Sequence, residues 1–163
     1  MAAEYGNDKE RLDGVIGTYR AKKADSFPNV EDLTPAEALS LSPESVLFVD
    51  ARSDGERAIS TIPGAVTKEE FLRDGEKLAA GKDLVVTHCA LGARGGNLAK
   101  QIKDTHPDLK VKNLEGALLA WAHAGGPLVD ASGAPTKSFH PGGPGQLKFA
   151  PKENGYEAKL EEQ

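Results

Sequence analysis

The sequence predicts an α/β fold: a mostly parallel sheet with helices on both faces. Three observations lead there. Short strand-like runs alternate along the chain with helical patterns, Val46–Asp50 and Leu84–Val86 being the clearest apolar ones and Val111–Leu114 a further strand, and that order builds parallel sheets. The run Leu84-Val85-Val86 is continuously apolar rather than alternating, as suits a strand covered on both faces. Thr34-Pro35-Ala36-Glu37 and Thr67 followed by Lys68 are helix starts standing between runs.

Taken in order, residues 1–10 are polar and expected to fray, and a helix is expected over Asp8–Lys23. Its apolar stripe is Leu12, Val15, Ile16 and Tyr19. Gly14 and Gly17 each weaken it by about 1 kcal/mol relative to alanine, so the helix needs a surface to lie on. Ser26-Phe27-Pro28 breaks it, and Val30–Leu33 reads as a short strand. A helix capped by Thr34 ends by Leu41-Ser42-Pro43. After the strand Val46–Asp50, Ser53 caps a short helix to Ala58. Ile62-Pro63-Gly64-Ala65-Val66 turns into another short strand. Thr67 then caps a helix over Lys68–Ala80, with Phe71, Leu72 and Leu78 as apolar contacts and Gly81 as its stop. The strand beginning at Asp83-Leu84 leads into a glycine-bearing loop, and a helix follows to about Thr105, stopped by His106-Pro107. Val111–Leu114 is a strand and Glu115–Ala124 a helix, ended by Gly125-Gly126-Pro127. Beyond Val129 the chain becomes rich in proline and glycine. It reads as an extended arm lying on the domain, with Phe139, Leu147, Phe149 and Tyr156 as anchors and the last few residues disordered.

Length and composition bound the function. The 163 residues suffice for one domain with a core. Net charge is -5, which argues against nucleic acid or an anionic membrane as partner. No apolar run approaches the roughly 18 residues of a membrane span. One cysteine cannot form an internal disulfide, which fits a reducing, cytoplasmic compartment, or an organelle matrix had a transit peptide been removed. His88, His106, His123 and His140 lie far apart, without metal-ligand spacing. They are expected to face solvent or cap elements, and no metal or cofactor is expected.

The chemistry concentrates at His88-Cys89-Ala90-Leu91-Gly92-Ala93-Arg94-Gly95-Gly96. A lone cysteine is most often buried and inert. Here it stands at a strand terminus, where open α/β sheets bind ligands. Amides near a helix N-terminus converge there on an anion or a thiolate. Gly92, Gly95 and Gly96 permit backbone angles closed to other residues. Sulfur transfer through a persulfide, phosphate or arsenate chemistry, and peroxide sensing or thiol exchange all fit such a cysteine. The last is disfavoured because no second cysteine can resolve it. His88-Cys89 with Arg94 superficially resembles the protein phosphatases. Those place five residues between cysteine and arginine, whereas this chain has four, a smaller cradle in which phosphate sits badly.

Three blocks in order give a more specific likeness. The first is Phe48-Val49-Asp50-Ala51-Arg52-Ser53-Asp54-Gly55-Glu56 with Ile62-Pro63-Gly64-Ala65. The second is Cys89-Ala90-Leu91-Gly92-Ala93-Arg94. The third runs from Leu114-Glu115-Gly116-Ala117 through Trp121 to Gly125-Gly126-Pro127. Together they resemble a single-domain rhodanese of the thiosulfate sulfurtransferase type, over Val30–Val129. Residues 1–29 then form an N-terminal helical extension, 30–129 the rhodanese domain and 130–163 the arm. The resemblance implies a three-layer sandwich with a five-stranded, mainly parallel sheet. It implies a sulfurtransferase, acting as a monomer, that moves a sulfane sulfur from thiosulfate or a similar donor to cyanide, a thiol or a protein acceptor through a Cys89 persulfide. Arg94 and the backbone of Ala90, Leu91, Gly92, Ala93 and Gly95 would bind the donor. Asp50, Arg52 and Glu56 would hold the loop after the second strand, the minority alternative being that Arg52 lines the pocket. The competing class is a rhodanese-like interaction module with little turnover, and arsenate or phosphate-ester chemistry stands behind it. Thr61, Arg57, His88 and Gly95 depart from the family pattern, where a histidine, an aromatic, a tyrosine or phenylalanine, and a serine are frequent. Gly95 removes a hydroxyl near the loop and so bears on acceptor preference.

Overall fold

In the computed structural model, residues 5–160 are described. The expectations of fraying before residue 5 and of disorder at the last residues fall largely on 1–4 and 161–163, outside the described residues. Five parallel strands form the sheet: β1 (Asp32–Leu33), β2 (Val46–Asp50), β3 (Val66–Thr67), β4 (Leu84–His88) and β5 (Val111–Leu114). Their order is β1-β5-β4-β2-β3. β4 sits at the centre, with Val46 opposite Leu84 through Asp50 opposite His88 on one side and Val85 opposite Val111 on the other.

The pleat sorts each strand between two cores. Leu47 and Val49 of β2 and Val85 of β4 face Phe71 and Ala79 of α4 (Lys68–Ala79) and Leu98, Ala99 and Ile102 of α5 (Ala93–Thr105). Val46 and Val86 face the other way, onto Leu118, Leu119 and Trp121 of α6 (Ala117–His123). Phe48 meets Trp121 edge-on at 5.7 Å. α1 (Asp8–Ser26) covers this second core with Val15 buried and Leu12 and Ile16 partly so, and it buries Tyr19 against Phe27, the stripe its spacing predicts. Asp8 to Glu10 are helical rather than frayed, because Asn7 caps the helix and the Asp8 carboxylate accepts from Lys152 N and Glu153 N at 2.8 and 2.9 Å. Gly14 has a packing role: a Cβ there would stand 2.6 Å from the Tyr5 hydroxyl and 3.0 Å from the Phe149 ring.

Three helices start with reciprocal capping boxes, Thr34 with Glu37 on α2 (Pro35–Leu39), Ser53 with Glu56 on α3 (Asp54–Ile59), and Thr67 with Glu70 on α4. Each satisfies two amide donors that the first turn leaves free. Two apolar expectations fail. Leu72 is 48% exposed, because the buried face of α4 is Phe71, Gly75 and Ala79, and Leu72 sits one position off that row. Leu147 is 38% exposed, because the 3₁₀ turn Pro144–Phe149 turns Phe149 inward instead.

The arm after β6 (Leu128–Val129) is more ordered than its composition suggests. β7 (Pro135–Thr136) pairs antiparallel with β6. β8 (Ser138–Phe139) pairs parallel with β9 (Glu157–Ala158). Phe139 is fully buried and Phe149 nearly so. His123 Nε2 bonds the Phe149 carbonyl at 2.7 Å, and the Tyr156 hydroxyl donates to the Gly126 carbonyl at 2.5 Å. Among the described residues, no helix is long and apolar enough to cross a membrane.

Candidate active site

Cys89 lies one residue beyond the carboxyl end of β4, at the middle of the sheet. Its neighbours Ala90 and Leu91 turn over the sheet edge, and Gly92 caps α5 at φ 138°, a backbone region that L side chains rarely adopt. This turn folds the Gly92 amide back so that it donates to Cys89 Sγ at 3.1 Å. The positive end of the α5 dipole thus faces the sulfur. Cys89, Ala90 and Leu91 are 2%, 1% and 6% exposed.

The carbonyl side of the loop is bound by α6. Leu118 N donates to the Cys89 carbonyl and Leu119 N to the Ala90 carbonyl, each at 3.1 Å. Those amides reach the loop because Gly116 and Ala117 both take left-handed angles, φ 74° and 53°. Ala117 is the only non-glycine among the described residues to do so, at a cost of about 1 kcal/mol. The strain therefore sits where α6 meets the cysteine loop.

Arg94 leaves the first turn of α5 and grips Glu56 in a fork, Nη1 to Oε1 at 2.6 Å and Nη2 to Oε2 at 2.8 Å. Its side chain is 45% exposed while that of Glu56 is 9% exposed. Burial pushes the Glu56 carboxyl up, but the hydrogen bonds and charge of Arg94 outweigh this and hold it down at about 2. Arg94 is held above its ordinary value, first by the bonds to Glu56 against its own burial, with the adjacent Cys89 adding to the effect. The guanidinium therefore stands beside the sulfur as half of an ion pair, not as a free cation.

Asp50 and Arg52 form a separate buried pair. The Arg52 Nε and Nη2 donate to the Asp50 carboxylate at 2.8 to 3.2 Å, and Nη2 also donates to the Ser60 carbonyl at 2.7 Å. Both side chains are essentially inaccessible. Arg52 therefore ties the chain after β2 to the end of α3 and does not line a pocket. Glu56 shares that task through Ser53, whose backbone N and hydroxyl donate to its Oε1 at 3.3 and 3.0 Å, and it holds Arg94 as well.

His88 corrects an expectation. It is fully buried, facing neither solvent nor an element end. Leu84, Val86 and His88 share one face of β4, so the ring points into the α6 side, edge-on to Phe48 at 6.3 Å. Neither ring nitrogen has a hydrogen-bond partner. Burial, reinforced by Arg52 and opposed by Asp50, pushes its pKa down to about 4, so it is neutral at pH 7. Gly95, grouped by sequence with the donor-binding backbone, serves packing. A Cβ there would stand 2.6 Å from Asn113 Oδ1 and 3.0 Å from the His88 backbone. The serine hydroxyl frequent at this position would point at the sheet, not at a ligand.

Two supporting residues escaped the sequence reading. Asn113 of β5, fully buried, donates from Nδ2 to the Gly92 carbonyl at 3.2 Å and to the Tyr19 hydroxyl at 3.0 Å, while its Oδ1 accepts from Thr87 Oγ1 at 3.0 Å. Tyr19 of α1 donates on to Asp32 at 2.5 Å, and burial and Asp32 raise its pKa. Its ring lies where a Gly92 side chain would go. The N-terminal helix thus reaches the turn that presents the cysteine. The available signal was strand parity, which puts Asn113 on the same face of Val111–Leu114 as Val111. Among the described residues no group of His, Cys, Asp or Glu converges as a metal site would.

The family model of the rhodanese-like domain matches residues 34–124. No curated protein gives a significant match. Among solved structures, the chain is similar to the thiosulfate sulfurtransferase from Pseudomonas aeruginosa at 19% identity and a TM-score of 0.60, over 74% of this chain and 23% of that one. It therefore spans less than a quarter of that enzyme. It is similar to a rhodanese-related protein from Thermoplasma volcanium at 19% identity and a TM-score of 0.52, over 61% of this chain and 97% of that one. An As–Sb reductase from Leishmania major aligns at 23% identity and a TM-score of 0.50, over 59% and 79% of the two chains. At these identities the likeness is one of fold.

Proposed function

The chain belongs to the rhodanese-like domain family, and we propose that within it this protein is a sulfurtransferase that carries sulfane sulfur on Cys89. The observation that carries the reading is the placement of Sγ at the end of the central strand, with the Gly92 amide donating to it at 3.1 Å and Arg94 beside it. The six-residue loop Cys89–Arg94 supports sulfur transfer over phosphate chemistry, as its shorter turn leaves less room at Sγ for a tetrahedral phosphorus than for the terminal sulfur of thiosulfate.

In the proposed first half-reaction the Cys89 thiolate attacks the outer sulfur of thiosulfate. A sulfur–sulfur bond forms to Cys89, the bond to the sulfonate sulfur breaks, and its electron pair leaves with sulfite. The persulfide anion keeps the Gly92 amide as donor. In the second half-reaction cyanide or a thiol takes the terminal sulfur and the Cys89 thiolate returns. The amide and the α5 N-terminus stabilise charge on sulfur. Arg94 contributes a local positive face whose reach is shortened by its fork with Glu56.

Thiocyanate formation from thiosulfate and cyanide tests this. Turnover that disappears in Cys89→Ser, with thermal stability kept, is the expected result. Absence of turnover in the parent protein with every small sulfane donor favours the competing reading, a binding module. One observation supports that alternative, the 2% exposure of Cys89.

A further inference from the structure

We infer that the crest of the C-terminal arm, His140–Gln146, roofs the cysteine loop and restricts its sulfur acceptors to small thiols and anions, excluding cysteines on the surface of folded proteins. The inference rests on the sulfurtransferase reading for its chemistry, while the roof itself is a matter of access.

The crest is anchored at both ends. Phe139 lies in the core and in the β8–β9 pair. Phe149 lies in the same core, with its carbonyl bound by His123. Between these anchors the crest is cross-braced. Gln146 Nε2 donates to the Pro141 carbonyl at 2.6 Å and Gly142 N to His140 Nδ1 at 3.0 Å. Pro141 is buried. Gly142, at φ 99°, lies so close to the loop that a Cβ on it would stand 2.7 Å from the Ala90 Cβ. His140 Nδ1 stands 4.0 Å from Glu56 Oε2, with its side chain 14% exposed. The crest therefore reaches from Ala90, the residue next to the cysteine, to the Glu56–Arg94 pair. Arg94, 45% exposed, is the exposed edge of the loop and marks the way in.

Size follows from bond geometry. A disulfide brings two Cα atoms to about 5.5–6 Å, and one more sulfur extends that to about 8 Å for transfer from a persulfide. The backbone of a protein acceptor must come that close to Cys89. The crest backbone already occupies that zone above Ala90. Cyanide, sulfite or a low-molecular-weight thiol enters past Arg94, whereas the flat surface around a protein cysteine meets the crest first.

Two variants open the roof without touching the catalytic machinery. Gln146→Ala cuts the brace to Pro141, and Gly142→Ser sets a Cβ against Gln146 Nε2 and 2.7 Å from the Ala90 Cβ, displacing the same brace and pushing the crest off the loop. For each, Cys89 is alkylated with iodoacetamide and with a polyethylene-glycol maleimide. Persulfidated protein is then presented with dithiothreitol and with a reduced globular protein bearing one surface cysteine. The parent protein should discriminate strongly against the bulky reagent and the protein thiol. Either variant should narrow both ratios by about tenfold while the small-molecule rates stay within about twofold. The inference is overturned if the parent protein transfers sulfur to the protein thiol as readily as to dithiothreitol. Folded variants that leave the alkylation ratio unchanged overturn it as well. If no persulfide forms, the sulfurtransferase reading fails and the alkylation ratios alone decide the roof.

Discussion

His88 should make this protein acid-labile in a defined window, and replacing it with phenylalanine should remove that lability. The ring is fully buried and its pKa is about 4 against an ordinary value of 6.5. The charges facing it are Asp50, its register partner on β2, and Arg52, with the Phe48 ring edge-on beside it. As the folded value lies below the unfolded one, the unfolded chain takes up the proton first. Stability from neutral His88 is therefore complete above pH 6.5 and declines as pH falls toward 4. The full span is about 3 kcal/mol, and at pH 5 the loss is about 2 kcal/mol. Glu56, at about 2 against 4.5, is still ionised in both states near pH 5 and contributes almost nothing there. Urea unfolding at pH 7 and pH 5 reads the effect, with slopes of about 1–3 kcal/mol per molar to convert midpoints. The parent protein should lose about 2 kcal/mol more than His88→Phe over that interval, the other histidines cancelling between the two. The variant should match or exceed the parent at pH 7, since two unpartnered nitrogens are gone. Equal losses, to within about 0.5 kcal/mol, would refute a histidine held neutral by burial.

Three further outcomes follow from the site. Gly95→Ala should cost about 1–3 kcal/mol in thermal unfolding, because the new methyl meets Asn113 Oδ1 at 2.6 Å and Thr87 and Tyr19 hold that side chain in place. Glu56→Gln should cost about 1–2 kcal/mol at pH 7 by removing half the fork on Arg94. It should also flatten the acid profile between pH 4.5 and 2, where a depressed carboxylate loses its stabilisation on protonation. Arg94→Ala should raise the Michaelis constant for thiosulfate more than that for an uncharged persulfide donor, read in parallel steady-state assays. Equal changes would deny the guanidinium a part in anion binding.

How much of this was legible in the sequence depended on whether the determinant was local. The capping boxes at Thr34, Ser53 and Thr67 pair residues three apart, and the strands β2 and β4 are built on short apolar runs; all form where local chemistry places them. The parallel five-stranded sheet follows from their alternation with helices. The cysteine loop was legible because its glycines, cysteine and arginine are contiguous. Its supports were not. Tyr19, Asp32, Asn113 and Gly92 meet across as many as 94 residues, and Glu56 reaches Arg94 across 38, so no local spacing records these contacts. His88 is buried because strand parity puts it on the face of Leu84 and Val86, a determinant that outweighs the polarity of its ring. The arm's composition announced irregular chain, yet it folds as two short pairings and a braced crest. Its order comes from Phe139, Phe149 and the bonds to α6 rather than from backbone propensity.

The most direct test of the central claim is the intact mass of the protein after brief exposure to thiosulfate, then to cyanide. A gain of one sulfur atom that cyanide removes, and that Cys89→Ser never shows, is the result expected of a persulfide carrier. An unchanged mass, in protein whose Cys89 still reacts with iodoacetamide, would contradict it.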